Sequence, residues 1–284
     1  MDSGPPGEPG ADPLNLRVGG VDLLLGFNVA RLAEYFSGRF AGFLDGSADG
    51  IPCHLDESAA PAAYAGRPSG GVCAPQPPTA FQSCGEKLVI RRRGLSGYFD
   101  LASLEARGRL DGTDDTGAEA FIRFSAVTAM AKRATLAFHG SGVCVGERSA
   151  LFLAPPGGGK STVARLSGER PVLSDEINIV RRADDGFRMA GSPFQSTNPE
   201  MNNMERPLGA IFFLSKSSEV GVELIPPQHA TARIAHSVIN FRFPSPLTSG
   251  LFRQACLLAS DVPAYVLSFR KDPDFWRVVE NVCT

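Results

Sequence analysis

The sequence predicts an α/β fold in which a small amino-terminal α+β module precedes a larger α/β domain. Three observations predict it. The stretch LFLAPPGGGKSTVARL, residues 151–166, runs an apolar strand into three consecutive glycines and then into a helical segment. Ahead of it, AEAFIRFSAVTAMAKRATLAFHG repeats apolar residues at three- and four-residue spacing, and GVCVGERSALFLA sets two apolar runs either side of GERS, so a helix and a β-hairpin deliver the chain to the glycines. Beyond the glycines, short apolar runs and helical segments continue to the carboxyl end.

Taken in order, residues 1–13 are rich in proline, glycine and acid and read as a disordered tail, because they cannot bury enough surface to offset their ordering entropy. The module spans residues 14–110. LNLRV and VDLLLGF are its candidate strands, and NVARLAEYF has helical spacing. Residues 58–80 are dense in Ala, Pro and Gly with no sustained period, which reads as a long loop. KLVIRRR and SGYFDL read as two strands around a turn at Gly94. RGRLDGTDDTG, residues 107–117, reads as the boundary, and the second domain spans 118–284.

That domain opens on an amphipathic helix through Phe121, Phe124 and Met130, expected to pack on a sheet. The hairpin follows. Later strands are expected at RPVLS, GFRMA, GAIFFLS, VELIPP and AYVLSF, and helices at ATARIAHSVINF, SGLFRQACLLAS and PDFWRVVENV. Asp272 ahead of Pro273 makes a favourable start for the last helix, since its carboxylate can accept a terminal N–H and proline suits the first helical position.

Composition excludes several function classes. With 43% apolar and 20% charged residues over 284 positions and a formal net charge of −2, the chain has no broad attraction to nucleic acid or anionic lipid. No stretch reaches the roughly 20 apolar residues of a membrane helix, and the amino terminus lacks the basic and apolar regions of a secretory signal, so a cytoplasmic protein is expected. The six cysteines are scattered without a CxxC pair or a histidine at zinc-ligand spacing, and read as reduced.

The chemistry concentrates at residues 154–161, APPGGGKS, which match the phosphate-binding pattern GxxxxGK[ST] except that Ala154 stands at its first glycine. Phosphate oxygens must approach backbone N–H groups closely, and Gly157, Gly158 and Gly159 leave that approach open. Pro155 and Pro156 stiffen the loop but remove two donors, so the cradle relies on the amides from residue 157 onward. Lys160 supplies a flexible point charge, the helix from Ser161 directs its partial positive end at the anion, and Ser161 is the expected magnesium ligand. Pro156 through Thr162 are therefore the expected nucleotide contacts. The plainer alternative is a glycine-rich turn with Lys160 solvated and Ser161 capping the helix.

Downstream, PVLSDEINIV presents Asp175 and Glu176 fifteen and sixteen residues beyond Lys160, the right order for a metal-binding acidic pair at a strand end. ATP and magnesium are the cofactors this arrangement calls for.

FHGSGVCVGERSALFLAPPGGGKST, VLSDEINIV, RPLGAIFFL and VPAYVLSFRKDPDFW together resemble the HPr kinase/phosphorylase family, in its shorter relatives that hold only the catalytic domain; the resemblance covers roughly residues 118–282. Phosphoenolpyruvate carboxykinases look similar around the loop but are much longer. The resemblance implies a P-loop kinase domain of the HPr kinase/PEP carboxykinase-like type with a mixed sheet. It implies an ATP-dependent kinase acting on a serine hydroxyl, with Asp175 as the base toward the acceptor and Glu176 helping to hold magnesium. His139 matches a family position before the hairpin and is expected beside the acceptor. Arg206 is placed to stabilise the transferring phosphoryl, while the family's metal-binding glutamate has its nearest counterpart in Glu205, one residue nearer the arginine than the pattern sets.

Residues 1–110 do not resemble the family's amino-terminal module, and no counterpart of its carboxy-terminal regulatory segment is present. HPr itself and the reverse, phosphorylase reaction are therefore not expected. The expected acceptor is a serine-containing protein, a peptide or a small hydroxyl compound, selected by loops such as residues 191–207, which offer Phe194 and a polar rim. Related kinases often form hexamers, which leaves a homo-oligomer open. Two other readings remain: a non-catalytic, ATP-responsive binding module, and a carboxykinase-like metabolic enzyme.

Overall fold

The structure, a computed structural model, describes residues 12–58, 79–112, 115–194 and 202–283. Most of the expected amino-terminal tail, the interior of the expected 58–80 loop and the centre of the 191–207 loop lie outside the described residues. The chain is mixed α/β, with two mixed sheets in two compact units. One unit comprises Met1–Ala129 with Phe241–Pro244, the other Met130–Asn240 with Ser245–Thr284.

In the first unit seven strands run in the order β1 (Leu14–Val18), β2 (Val21–Phe27), β3 (Ile51–Ser58), β7 (Glu105–Asp111), β6 (Leu95–Asp100), β5 (Lys87–Arg92) and β4 (Ala80–Cys84). The neighbours β2, β3 and β7 are parallel and the remaining pairs antiparallel. β2 alternates Leu23, Leu25 and Phe27 inward with half-buried residues between, the period of a strand with one face in the core. Helix α1 (Ala30–Arg39) buries Leu32, Ala33 and Phe36, and the Phe36 ring stacks on Phe27 at 5.6 Å. Of the stretch 107–117, read as a boundary, residues 107–111 belong to β7, where Arg107, Arg109 and Asp111 alternate outward with Gly108 and Leu110 inward, so their polarity marks an exposed strand face.

Helix α2 (Asp115–Lys132) lays Phe121 over Gly97 and Gly108, where any Cβ would lie within 3 Å of the ring. The packing on a sheet is as expected; the amphipathicity is not. From Phe124 to Ala131 every residue is buried, because between Arg123 and Lys132 the sequence offers small and apolar side chains on all sides of the helix and no charge.

The second unit is built on the hairpin of β8 (Leu136–Val145) and β9 (Arg148–Leu153), which turns at Gly146 with φ 56°. On its other edge β8 takes β10 (Val172–Ser174) and β11 (Ile177–Ala183) end to end. β12 (Gly186–Ala190) links β11 to the start of β13 (Glu205–Lys216), and β13 lies parallel between β9 and β15 (Ala264–Phe269). β14 (Gly221–Ile225) covers β15. The pairings β8–β9–β13–β12–β11–β8 close on themselves.

Helices α3 (Lys160–Arg165), α4 (Pro227–Ser237), α5 (Ser245–Asp261) and α6 (Phe275–Val282) complete the unit. α4 starts three residues before the expected Ala230, because Pro227 occupies its first turn. α6 starts after Pro273: Asp272 caps the preceding turn through the N–H of Asp274 at 3.0 Å, and Asp274 is the residue that precedes the helix. Its Trp276 joins Phe152, Phe212 and Phe275 in the core and donates Nε1–H to the Leu166 carbonyl at 2.7 Å, tying off the end of α3.

Among the described residues no helix is long and apolar enough to cross a membrane. The five described cysteines are free, and burial pushes the Cys53 thiol up to about 12.

Candidate functional site

At the end of β9 the buried run Leu151–Leu153 leaves the sheet, and the glycine-rich loop begins. Residues 155–158 form a turn closed by Gly158 N–H donating to the Pro155 carbonyl at 2.9 Å. Pro156 and Gly157 occupy its centre, and Gly157 has φ 74°, the pairing a type II turn requires. A Cβ on Gly158 would lie 2.5 Å from the Ala154 Cβ, so the departure at the pattern's first glycine is tolerated because its neighbour across the turn has no side chain. Gly159 has φ 111° and abuts Phe269 as it enters α3.

Lys160 is buried, and its ammonium donates to the carbonyls of Ala154 at 2.8 Å and Pro155 at 3.3 Å. Burial pushes its pKa below the ordinary lysine value, and the nearby Glu176 carboxylate partly offsets that shift. The plainer alternative of a solvated lysine is excluded by this geometry.

Asp175 and Glu176 form the bend between β10 and β11, which pair with β8 in one register, Ser174 opposite Gly142 and Ile177 opposite His139. Three hydrogen bonds hold the bend. Ser174 Oγ accepts the N–H groups of Glu176 and Ile177, each at 3.2 Å, and the Glu176 carbonyl accepts Gly140 N–H at 3.1 Å. Asp175 is 2% exposed, and Glu176 Oε1 stands 3.5 Å from Nδ1 of the half-exposed His139.

A cavity of about 540 Å³ brings these parts together. Its walls take Pro156, Gly157, Gly159, Lys160, Ser161 and Thr162 from the loop and α3, and His139, Asp175 and Glu176 from the β8 side. Of the expected contacts, Gly158 alone does not line it. The remaining wall escaped the sequence reading: Lys216 and Ser217 at the end of β13, and Phe269, Arg270 and Lys271 at the end of β15. The cavity therefore lies at the carboxyl ends of three parallel strands, β9, β13 and β15. A signal existed, since Lys216 and Arg270 follow their apolar runs as the glycine loop follows LFL.

Three residues weighed for the site lie away from the cavity. Glu205 does not reach the cavity: its carboxylate is held by Arg181 at 2.7 and 2.8 Å and by Arg188 at 2.8 Å, so it serves a surface ion-pair network. Arg206 lies with Glu205 at the amino end of β13, whereas the loop's cavity is at that strand's carboxyl end, and it lines a separate cavity beside Cys144 and Met204. Phe194 is fully buried and offers nothing to a ligand; residues 195–201 lie outside the described set.

Chemically, the site combines a buried ammonium, a hydroxyl at Ser161, two carboxylates and free approach to loop amides. Among the described residues no three His, Cys, Asp or Glu side chains are grouped to hold a metal by themselves. One or two carboxylates and a hydroxyl suit a cation that brings phosphate oxygens and water as its other ligands.

No curated protein matches the chain. Residues 121–284, more than half of its length and all of the cavity's walls, match the family described as SynChlorMet cassette protein ScmC, and the chain belongs to that family.

Proposed function

We propose that this chain is an ATP-dependent kinase that transfers the γ-phosphoryl group to a serine hydroxyl of a protein, a peptide or a small molecule. Its residues 118–284 act as a P-loop kinase domain of the HPr kinase/PEP carboxykinase-like type. The observation that carries this reading is the shared cavity: the glycine loop with Lys160 forms one wall, and the buried Asp175 faces the same space.

Phosphoryl transfer passes through a loose transition state, so the protein's work is alignment and charge neutralisation. Amides of the loop residues that line the cavity, Gly157 and Gly159 onward, cradle the phosphates, and the Lys160 ammonium exchanges its two carbonyl partners for phosphate oxygens. Asp175 accepts the hydroxyl proton late, as the acceptor oxygen bonds to the γ-phosphorus and the bond from that phosphorus to the β,γ-bridging oxygen breaks, releasing ADP. His139, beside Glu176, lines the acceptor side. Ser161 and Glu176, with Asp175 adjacent, would hold magnesium, which when bound neutralises charge on the β- and γ-oxygens.

The test incubates wild type and Lys160→Ala with γ-labelled ATP in a cell lysate and follows the label by mass spectrometry. A serine-phosphorylated product present only with wild type is expected. Tight nucleotide binding with no label on any acceptor would replace this reading with that of an ATP-responsive binding module.

A further inference from the structure

The cavity is electrically polar along its length. Across its floor the strand ends follow the order β8, β9, β13, β15. Neighbouring strands are about 4.8 Å apart, so the floor extends roughly 14 Å from β8 to β15. Asp175 and Glu176 occupy the first end, the glycine loop and Lys160 follow, and Lys216, Arg270 and Lys271 occupy the far end.

The three far cations are not equivalent. Arg270 is committed within the protein, with its guanidinium on Asp272, on Asp274 at 2.7 Å and on the Ser218 carbonyl at 3.5 Å. That clip, with Ser217 N–H donating to the Phe269 carbonyl at 3.0 Å, ties the ends of β13 and β15 to each other. The side-chain ammonium groups of Lys216 and Lys271 make no hydrogen bond or ion pair among the described residues, yet both residues line the cavity. Lys216 stands directly opposite Phe269 in the parallel register, and Lys271 lies two residues beyond that ring. Two uncommitted ammonium groups are thus held on adjacent, braced strand ends, facing the same concave space as the phosphate loop.

We propose, resting on the nucleotide reading above, that Lys216 and Lys271 hold the α-phosphate end of the donor nucleotide. The ligand then lies with its nucleoside over β13 and β15 and its terminal phosphate toward Asp175. Electrostatics sets the direction. A polyphosphate chain extending from the loop toward two carboxylates is repelled, whereas toward two ammonium groups it is attracted. The acidic end admits a neutral hydroxyl, so the acceptor enters on the β8 side, past His139. Lysine suits this role as a mobile point charge that follows a phosphate through small shifts.

The test titrates the purified full chain, with magnesium present, against ATP and against inorganic pyrophosphate, which can occupy the loop without reaching the far lysines. Wild type, Lys216→Ala, Lys271→Ala and the two Lys→Arg variants are compared, with melting curves to confirm folding. Each alanine variant is expected to weaken ATP about tenfold, the order of one lost charged hydrogen bond, and pyrophosphate less than threefold, with arginine restoring most of the ATP affinity. Unchanged ATP affinity, or equal losses for both ligands, overturns the placement while leaving the nucleotide reading intact. Wild type that binds neither ligand overturns that reading and the placement with it.

Discussion

Gly159 and Phe269 exclude any larger residue between them: a Cβ on Gly159 would lie 2.5 Å from Phe269 Cζ. The contact joins the phosphate loop to the end of β15, and Phe269 is fixed from behind by the edge of Phe275 at 5.5 Å. With φ at 111°, Gly159 also adopts a backbone conformation that L residues resist. Gly159→Ala is therefore expected to lose about 1–3 kcal/mol of stability and at least tenfold in nucleotide affinity. Adding Phe269→Leu should recover part of the melting temperature, since it relieves the collision but not the φ strain. Melting curves and nucleotide titrations check both expectations.

The buried Lys160 ammonium sets a pH dependence. Its folded-state pKa is depressed, so between that value and the ordinary lysine pKa the unfolded chain binds the extra proton. The lysine's contribution to stability therefore rises with pH across that window, as the cost of burying the charge is relieved. Polyphosphate has the opposite preference, because it favours the ammonium. Nucleotide binding in the alkaline range should take up a proton and weaken as pH increases through the depressed pKa. Calorimetry in buffers of different ionisation enthalpy measures that uptake, and Lys160→Ala should abolish it.

Asp175 is buried on the wall shared with the loop, whereas the other carboxylate, Glu176, is partly exposed beside His139. Asp175→Asn is expected to keep the fold and nucleotide binding while lowering phosphoryl transfer about 10²- to 10⁴-fold, the range of one general base. Single-turnover label transfer together with an ATP titration separates the two effects. Unchanged transfer would show that Asp175 is not the base.

Glu205 bridges Arg181 and Arg188 away from the cavity. Glu205→Gln is expected to leave transfer within about twofold and to cost on the order of 1 kcal/mol, the usual worth of partly exposed ion pairs. Chemical denaturation and the same transfer assay check it. A large loss of transfer without loss of stability would show that Glu205 acts in the reaction.

Gly97 and Gly108 give the Phe121 ring its place on the first sheet. Gly108→Val puts a branched side chain against Phe121 and Leu55 and is expected to destabilise the chain by about 1–3 kcal/mol, the usual cost of overpacking. Denaturation midpoints read this directly.

By itself the sequence determined the local parts: the hairpin turning at Gly146, the strand that runs into three glycines, the lysine and hydroxyl that follow, and the acidic pair after a short apolar run. Each is written in consecutive residues, because turn chemistry and backbone freedom act over a few positions. Only the tertiary structure decided which parts meet. Parallel alignment of β9, β13 and β15 brings Lys216 and Lys271 to the mouth of the loop, although 56 and 111 residues separate them from Lys160. The strand pairing likewise leaves Glu205 and Arg206 at the end of β13 remote from the loop, and burial of every residue from Phe124 to Ala131 makes that part of α2 a core helix where its spacing reads as amphipathic. Register and layer packing depend on the whole set of apolar faces seeking burial together, so no single window of sequence contains them.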